Sequence, residues 1–190
     1  MRLTRLQAQE RTHERLLDAG REIFLRRGFL AATVEEVAAE AGYTRGAVYK
    51  HFGGKEGLWH ALVQQWSETL ADGLRQALDG VHTRAELIAT LTPDPGPGRW
   101  ALVSAEATAA LAGRPEHAAR VADVQARFDG EMATLLTACC ERLGVRPAMP
   151  IPVLVAAWGA LGGGLALRRA VDGSTDVTAI AAAALGTFLR

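Results

Sequence analysis

The chain has 190 residues, which is long enough for one small module and a larger helical core. Its 21 Lys and Arg residues balance 21 Asp and Glu residues, which excludes bulk positive charge as a basis for binding nucleic acid. The two cysteines, Cys139 and Cys140, are adjacent and have no His or Cys partners at metal-binding spacing. They are interpreted as buried small apolar residues, with a thiol-sensing role as the alternative.

Charges and glutamines interrupt residues 1–22, a pattern that does not fit a secretory signal peptide. We therefore expect a cytoplasmic protein. Arg2 and Arg5 are expected in a solvated N-terminal tail, with a flexible binding arm as the alternative. His13 and Arg15 are expected to face solvent on a first helix.

The stretch from Thr33 to Lys55 is the most informative part of the chain. The Thr33 hydroxyl can accept the N–H of Glu36, and the Glu36 carboxylate can accept the N–H of Thr33, which is the capping box of a helix start. Apolar residues then recur at helical spacing at Val34, Val37, Ala38 and Ala41. Gly42 is expected to end this helix, because glycine adopts a positive φ readily.

A second short helix is predicted after Tyr43, with Thr44 as its N-cap and Phe52 near its end. Ala47, Val48 and Phe52 are expected inward. The residues expected to face outward are Thr44, Arg45, Gly46, Tyr49, Lys50 and His51. Two short helices joined by a turn that contains glycine, the second presenting cations and hydroxyls, are typical of a helix-turn-helix.

Gly53 and Gly54 are expected to stop the second helix, and Lys55 to start the next. The N–H groups at a helix start suit a phosphate, and the Lys55 ammonium would add a point charge. Lys50 and Lys55 are the only lysines of the chain, and both lie in this stretch. The alternative is an ordinary helical domain with Gly turns, but the order and spacing of the whole set favour a DNA-reading unit.

Residues 11–62 resemble the DNA-binding domain of the TetR family of bacterial transcriptional regulators. The runs TRGAVYKHF and GGKEGL carry most of this resemblance, whereas Tyr43 departs from the small aliphatic residue usual there and is expected at the turn surface. The resemblance implies an all-α fold. It places a three-helix, helix-turn-helix DNA-binding domain at residues 1–56 and a larger helical effector-binding and dimerisation domain at residues 57–190.

The resemblance also implies two kinds of DNA contact. Thr33, Tyr49, His51 and Lys55 would bind phosphates, while Thr44, Arg45, Gly46 and Lys50 would face the major groove. Arg45 is the best candidate to read a base, because its planar fork matches the N7 and O6 acceptors of guanine.

Downstream of Leu58 the pattern predicts further helices and no strand. The predicted spans are about 55–78, a short helix that begins at the Thr83–Glu86 capping box and stops before Pro93, about 100–111, and 114–143. The PDPGPG segment from Pro93 to Gly98 is predicted to be a loop.

Residues 153–169 and 176–190 are apolar almost all round and rich in Ala and Gly, so they need cover on every side. The first run is short of the roughly 20 residues that span a bilayer, so a membrane helix is the less favoured alternative. The resemblance implies that both helices pair with those of a second copy in a homodimer. The predicted interface residues are Trp158, Gly159, Gly162, Gly163, Ala166, Ile180, Ala183, Ala184 and Phe188.

The resemblance further implies a near-palindromic double-stranded DNA operator and release by a small-molecule effector. The candidate pocket residues are Trp66, Trp100, Glu106, His117, Phe128, Met132 and Trp158, each of which also suits plain core or surface. No cofactor, metal or catalytic activity is expected, because no motif joins the available nucleophiles and bases. An activator, a regulator without an effector, and a helical adaptor protein are the alternatives to a repressor.

Overall fold

The computed structural model describes residues 4–92 and 98–190. Within those ranges it contains nine helices: α1 (Arg5–Ala31), α2 (Val34–Ala41), α3 (Arg45–Phe52), α4 (Lys55–Asp79), α5 (Arg84–Leu91), α6 (Arg99–Leu111), α7 (Pro115–Leu143), α8 (Ile151–Val171) and α9 (Val177–Phe188). The only β-type pairing in the described ranges is an isolated bridge between Pro147 and Leu189. The predicted all-α class is confirmed. Most of the predicted loop at 93–98 lies outside the described residues.

Three helices begin with a capping box, in which a threonine hydroxyl and a side chain three residues later satisfy each other's backbone N–H groups. The boxes at Thr33 and Thr83 are those predicted. A third, formed by Thr4 and Gln7, starts α1. Arg5 is therefore helical, and its predicted place in a solvated tail is wrong.

The described residues form two compact units. Unit 1 comprises residues 4–66 and Val103–Arg120, and unit 2 comprises the described parts of Ser67–Leu102 with Val121–Arg190. The division of the chain predicted at residue 56 stays a prediction. Unit 1 extends past it, through the first part of α4, and also includes most of α6 and the start of α7.

The core of unit 1 contains an aromatic cluster of Phe24, Phe29 and Trp59, whose ring centroids lie 5.7–5.8 Å apart. α1 and α4 approach closely, since a Cβ added to Gly20 would lie 2.8 Å from a methyl of Leu58. α2 packs against α1, and α3 packs against α2, so the two short helices are held on this core.

The core of unit 2 is built from α4, α5, α7, α8 and α9. Its buried residues are Leu74, Leu78, Val81, Leu87, Leu91, Met132, Leu136, Cys139, Cys140, Val145, Leu154, Val155, Leu185 and Leu189. Burial raises the pKa of the Cys139 thiol and raises that of Cys140 to about 11. Both thiols are therefore protonated at neutral pH, as suits buried apolar residues.

α8 is longer than the sequence pattern predicted. It starts at Ile151 and has 21 residues, because prolines are accommodated in the first turn of a helix. By length and composition α8 could cross a membrane, although no membrane is present, and only 17% of its most apolar stretch is buried. The argument that this segment is too short to span a bilayer is therefore wrong, and its exposed apolar surface requires a partner.

Candidate nucleic-acid interface

The short helices α2 and α3 form the predicted helix-turn-helix. Gly42 ends α2 with φ 74°, and the Val48 side chain is fully buried beneath α3. At the N-terminus of α2, the Thr33 hydroxyl accepts the N–H of Glu36 at 3.2 Å and donates to its carboxylate at 3.1 Å. The backbone N–H of Thr33 and then its hydroxyl lower the pKa of Glu36. The exposed Thr33 is thus fixed in place, but its hydroxyl proton is already used.

The outer face of α3 carries the predicted base-reading residues. Thr44, Arg45, Gly46 and Lys50 are all exposed, and the Tyr49 side chain is 45% exposed. Thr44 precedes α3 without capping it through its side chain, so its hydroxyl is not engaged with the helix start. The face therefore combines two cations, two hydroxyls and a backbone surface without a side chain at Gly46.

Arg45 is held by two neighbours. Its guanidinium pairs with the Glu35 carboxylate of α2 at 3.0 Å, donates to the Tyr49 hydroxyl at 3.3 Å and lies 5.2 Å from the centre of the Tyr49 ring. Tyr49 and then Glu35 raise the pKa of Arg45. These contacts lay the guanidinium along the outer face of α3, where its side chain remains 61% exposed.

The Lys55 ammonium has an intramolecular role that the sequence did not indicate. It donates to the carbonyl oxygens of Phe29, Leu30 and Ala32 at 2.9, 3.2 and 3.0 Å, and lies 4.8 Å from the centre of the Phe29 ring. An ammonium has three donors, so these carbonyls at the end of α1 use all of them. A phosphate contact by this side chain would have to compete with them, whereas the N–H groups at the start of α4 would not.

His51 packs between α3 and α1. Its ring centroid lies 5.8 Å from that of His13, which in turn lies 4.6 Å from the centroid of Phe52. His13 is half-buried, so the expectation that it faces solvent is wrong. Burial, followed by His13 and Lys50, lowers the pKa of His51. At neutral pH His51 can therefore offer a phosphate a neutral N–H donor.

Tyr43 lies at the turn between α2 and α3, but not simply on its surface. Its hydroxyl accepts a 3.3 Å hydrogen bond from the Thr12 hydroxyl of α1. This bond is the main reason that the pKa of Tyr43 is lowered, with smaller contributions from Arg15 and Arg11. The turn is tied to α1 by the residue that departs from the family pattern.

Two predicted pocket residues, Glu106 and His117, take part in the packing of unit 1. The Glu106 carboxylate of α6 accepts the N–H of Leu30 at 3.3 Å and lies against Gly28, where the backbone of α1 leaves the helical conformation at φ 81°. His117 is buried and lies 2.7 Å from His60 of α4. Both side chains therefore join helices within unit 1.

A small cavity in unit 2 contains two of the other predicted pocket residues. Its volume is about 10 Å³, and its walls are formed by Leu78, Leu91, Met132, Leu136, Leu154, Val155 and Trp158. Phe128 lies outside the walls and stacks on Trp158, with ring centroids 6.2 Å apart. Trp66, which is 49% exposed, and the half-buried Trp100 are not part of these walls. The effector-pocket assignment stays a prediction.

Comparison with known proteins connects the helix-turn-helix segment with a protein family. The profile described as bacterial regulatory proteins, tetR family, matches residues 16–62. The transcriptional repressor AcnR of Corynebacterium efficiens is 27% identical over 165 residues, which cover 87% of this chain and 85% of that protein.

Two solved structures share the fold. Salmonella enterica GusR aligns over 97% of both chains with a TM-score of 0.75 at 16% identity. Bacillus subtilis FadR, solved in complex with stearoyl-CoA, aligns over 91% of this chain and 95% of its own, with a TM-score of 0.66 at 14% identity. The profile match confirms the predicted resemblance to the TetR family over residues 16–62. The relative that matches along most of the chain is a transcriptional repressor, which agrees with the interpretation of the chain as a regulator and not an enzyme.

Proposed function

We propose that the protein is a sequence-specific transcriptional repressor that binds a near-palindromic operator as a homodimer and is released by a small-molecule effector in the cytoplasm. The observation that carries this proposal is the outer face of α3. That face is exposed and polar, and it is held by the capped α2, the buried Val48 and the ties to α1.

The contacts proposed for this face fall into two groups. Tyr49, His51 and the N–H groups at the start of α4 would fix the register on phosphates, which carry no sequence information. Thr33 would join them only by giving up its hydrogen bonds to Glu36. Arg45 and Lys50 would reach base edges, and Gly46 would let the backbone of α3 approach the groove. Because the chain has no net positive charge, affinity would depend on these placed contacts and on two copies of α3.

Selection of bound sequences from a random DNA pool, followed by fluorescence anisotropy across a salt series, tests the function. We expect enrichment of a palindrome that is bound by dimers, with affinity falling steeply as salt rises. An absence of enrichment would favour a helical adaptor. A reporter gene controlled by the selected operator would then distinguish repression from activation.

Replacing Arg45 by alanine should relax sequence preference at one position of each half-site. Arg45 carries the guanidinium on the exposed face of α3, and a guanidinium can donate two hydrogen bonds to one base. We therefore expect a loss on the order of tenfold in affinity per half-site for the preferred base. Arg127→Ala is the matched control, since it removes one exposed guanidinium from α7 in unit 2. An unchanged selection profile for Arg45→Ala would show that Arg45 does not read a base.

The proposed dimer uses the apolar faces of α8 and α9. None of the nine predicted interface residues is buried, and a Cβ added to Gly159, Gly162 or Gly163 would meet no atom within 4 Å. Small residues let helices approach closely, and an apolar face needs cover. We assign this cover to a second copy of the chain, because a two-fold dimer would also present the two recognition helices that a palindrome requires.

Ile180→Glu should weaken this dimer by at least about tenfold in dissociation constant, because it would place an unpaired charge in an apolar interface. Val121→Glu on α7 is a close control, as Val121 is 39% exposed and Ile180 42%. Sedimentation velocity over a range of concentrations measures the effect. Equal dimerisation of both variants would exclude this surface, and recovery of the wild-type protein with membranes would favour the membrane reading of α8.

The proposed effector would act from the small cavity in unit 2. At about 10 Å³ the cavity has room for little more than one water molecule, so a ligand must widen it. Met132 is suited to this, because methionine adapts to irregular shapes. Trp158 is restrained instead, since its indole N–H donates to the carbonyl of Leu91 at 2.7 Å. FadR binds stearoyl-CoA within the same fold. Release of DNA requires that the ligand bind the widened state more tightly than the state that binds DNA.

A further inference from the structure

A pair of histidines connects α4 to α7 within unit 1, and the proposed function does not use it. His60 Nε2 lies 2.7 Å from His117 Nδ1, and the ring centroids are 4.9 Å apart. His117 is 6% exposed, and it is the only polar or charged side chain that is buried in the part of the chain that the structure describes. A buried polar contact of this kind holds two helices together only while its hydrogen bond is satisfied.

The neighbouring Arg120 fixes the protons of this pair. Its Nη1 lies 3.4 Å from His60 Nδ1, and a guanidinium can only donate. His60 Nδ1 therefore accepts, and the proton of His60 is on Nε2, from which it donates to His117 Nδ1. Both rings are then neutral. A further proton on His60 Nδ1 would face Arg120, and one on His117 Nδ1 would face the N–H of His60.

We propose that the hydrogen bond between His60 and His117, which we name the histidine latch, is a proton-operated switch. It fastens the start of α7 to α4 at neutral pH and releases it in mildly acidic solution. Protonation opens the latch because each acceptor nitrogen already faces a donor, so an added proton would place two donors against each other.

The surroundings of the latch also disfavour a protonated His60. Burial is the largest cause that lowers the pKa of His60, followed by His117 and Arg120. Glu56 of α4 opposes them, but its carboxylate is already paired with Arg114, which precedes α7. The surroundings of His60 therefore favour the neutral ring that the latch requires.

The pH range follows from the direction of this shift. The pKa of His60 in the folded chain lies below its value of about 6.5 in an unfolded chain. The unfolded chain therefore binds more protons as the pH falls below about 6.5, and the stability from the latch is lost there. Above that pH the contribution is fully present.

Release of the latch would reach the DNA-binding face through α4. His60 follows Leu58 and Trp59, which are buried in the core of unit 1, and Lys55 of the same helix caps the end of α1. Loosening this part of α4 would loosen the support of α3 and lower operator affinity. This last consequence rests on the proposed function, whereas the latch itself does not.

The test compares the wild-type chain with the double variant His60→Gln, His117→Asn. The Gln amide can replace the Nε2 donor and the Asn oxygen can replace the Nδ1 acceptor, but neither takes up a proton in this range. Between about pH 7.5 and about pH 5.5, we expect the wild-type melting temperature to fall about 3 °C further than that of the double variant. Nitrogen NMR of 15N-histidine-labelled protein should show both rings as Nε2–H tautomers at neutral pH.

Operator affinity is measured over the same range with His51→Gln in both proteins, because His51 also titrates and lies on the DNA-binding face. We expect at least about a fivefold greater loss in the chain that keeps the latch. Parallel melting profiles would overturn the proposal, and so would a His60 ring that stays neutral down to the pH at which the chain unfolds. A difference in melting without one in affinity would overturn its link to DNA binding, and the melting result holds even if no operator is found.

Discussion

Lys55→Met is expected to destabilise unit 1 by about 2–4 kcal/mol, because it removes a charged donor from three carbonyls at once. Methionine keeps the length and the apolar stem of the side chain, so the loss of stability reports the contribution of the ammonium alone. The end of α1 would then depend on water to satisfy the carbonyls of Phe29, Leu30 and Ala32. Urea unfolding followed by circular dichroism measures the change.

Lys50→Met is the matched control, because it removes the only other lysine from the exposed face of α3. We expect Lys50→Met to leave stability unchanged and to weaken operator binding. If Lys55→Met proved as stable as Lys50→Met and lowered the dependence of binding on salt, the ammonium would contact phosphate and the capping role would be wrong.

Gly28→Ala is expected to cost about 3 kcal/mol. The Gly28 backbone at φ 81° and ψ 166° lies in a region that is open essentially to glycine alone. An added Cβ would also lie 2.6 Å from a carboxylate oxygen of Glu106. Thermal unfolding measures the loss of stability. We also expect α6, which carries Glu106, to be displaced from Gly28 in the variant.

Combining Gly28→Ala with Glu106→Ala separates the two causes. The steric conflict disappears in the double variant while the backbone strain remains, so the combined loss should be smaller than the sum of the single losses. Gly130→Ala in α7 is the control, since no atom lies within 4 Å of an added Cβ and alanine favours a helix. A Gly28→Ala protein as stable as the wild type would contradict the assignment.

The sequence predicted those features that depend on neighbours in the chain. The capping boxes at Thr33 and Thr83 and the end of α2 at Gly42 need only residues a few positions apart, and all three are present. Local reasoning also failed at two places, since it missed the Thr4–Gln7 capping box that starts α1 and predicted α8 too short. The apolar run was predicted to begin at residue 153, although proline is compatible with a first turn and the helix begins at Ile151, before Pro152.

The contacts of Lys55, Glu106 and His117 could not be predicted in this way. Lys55 lies 26 positions from Phe29, Glu106 lies 76 from Leu30, and His117 lies 57 from His60. Only the packed fold brings the two members of each pair together. Each of these side chains carries a charge or a polar group, which on sequence grounds suited a ligand equally well. The exposed face of α3 was predictable because helical periodicity alone determines which of its residues point away from Val48.

The pairing of Arg45 with Glu35 bears on how a regulator finds one site in a genome. The Glu35 carboxylate lies 3.0 Å from the guanidinium, so Arg45 would have to leave this ion pair before it could contact DNA of any sequence. If Arg45 reads guanine as proposed, the correct base would return two hydrogen bonds for that exchange, whereas a random backbone contact would return less. On that proposal Glu35 would keep Arg45 paired on random DNA, where no base repays the lost ion pair, and would favour the operator through an acidic residue that touches no base.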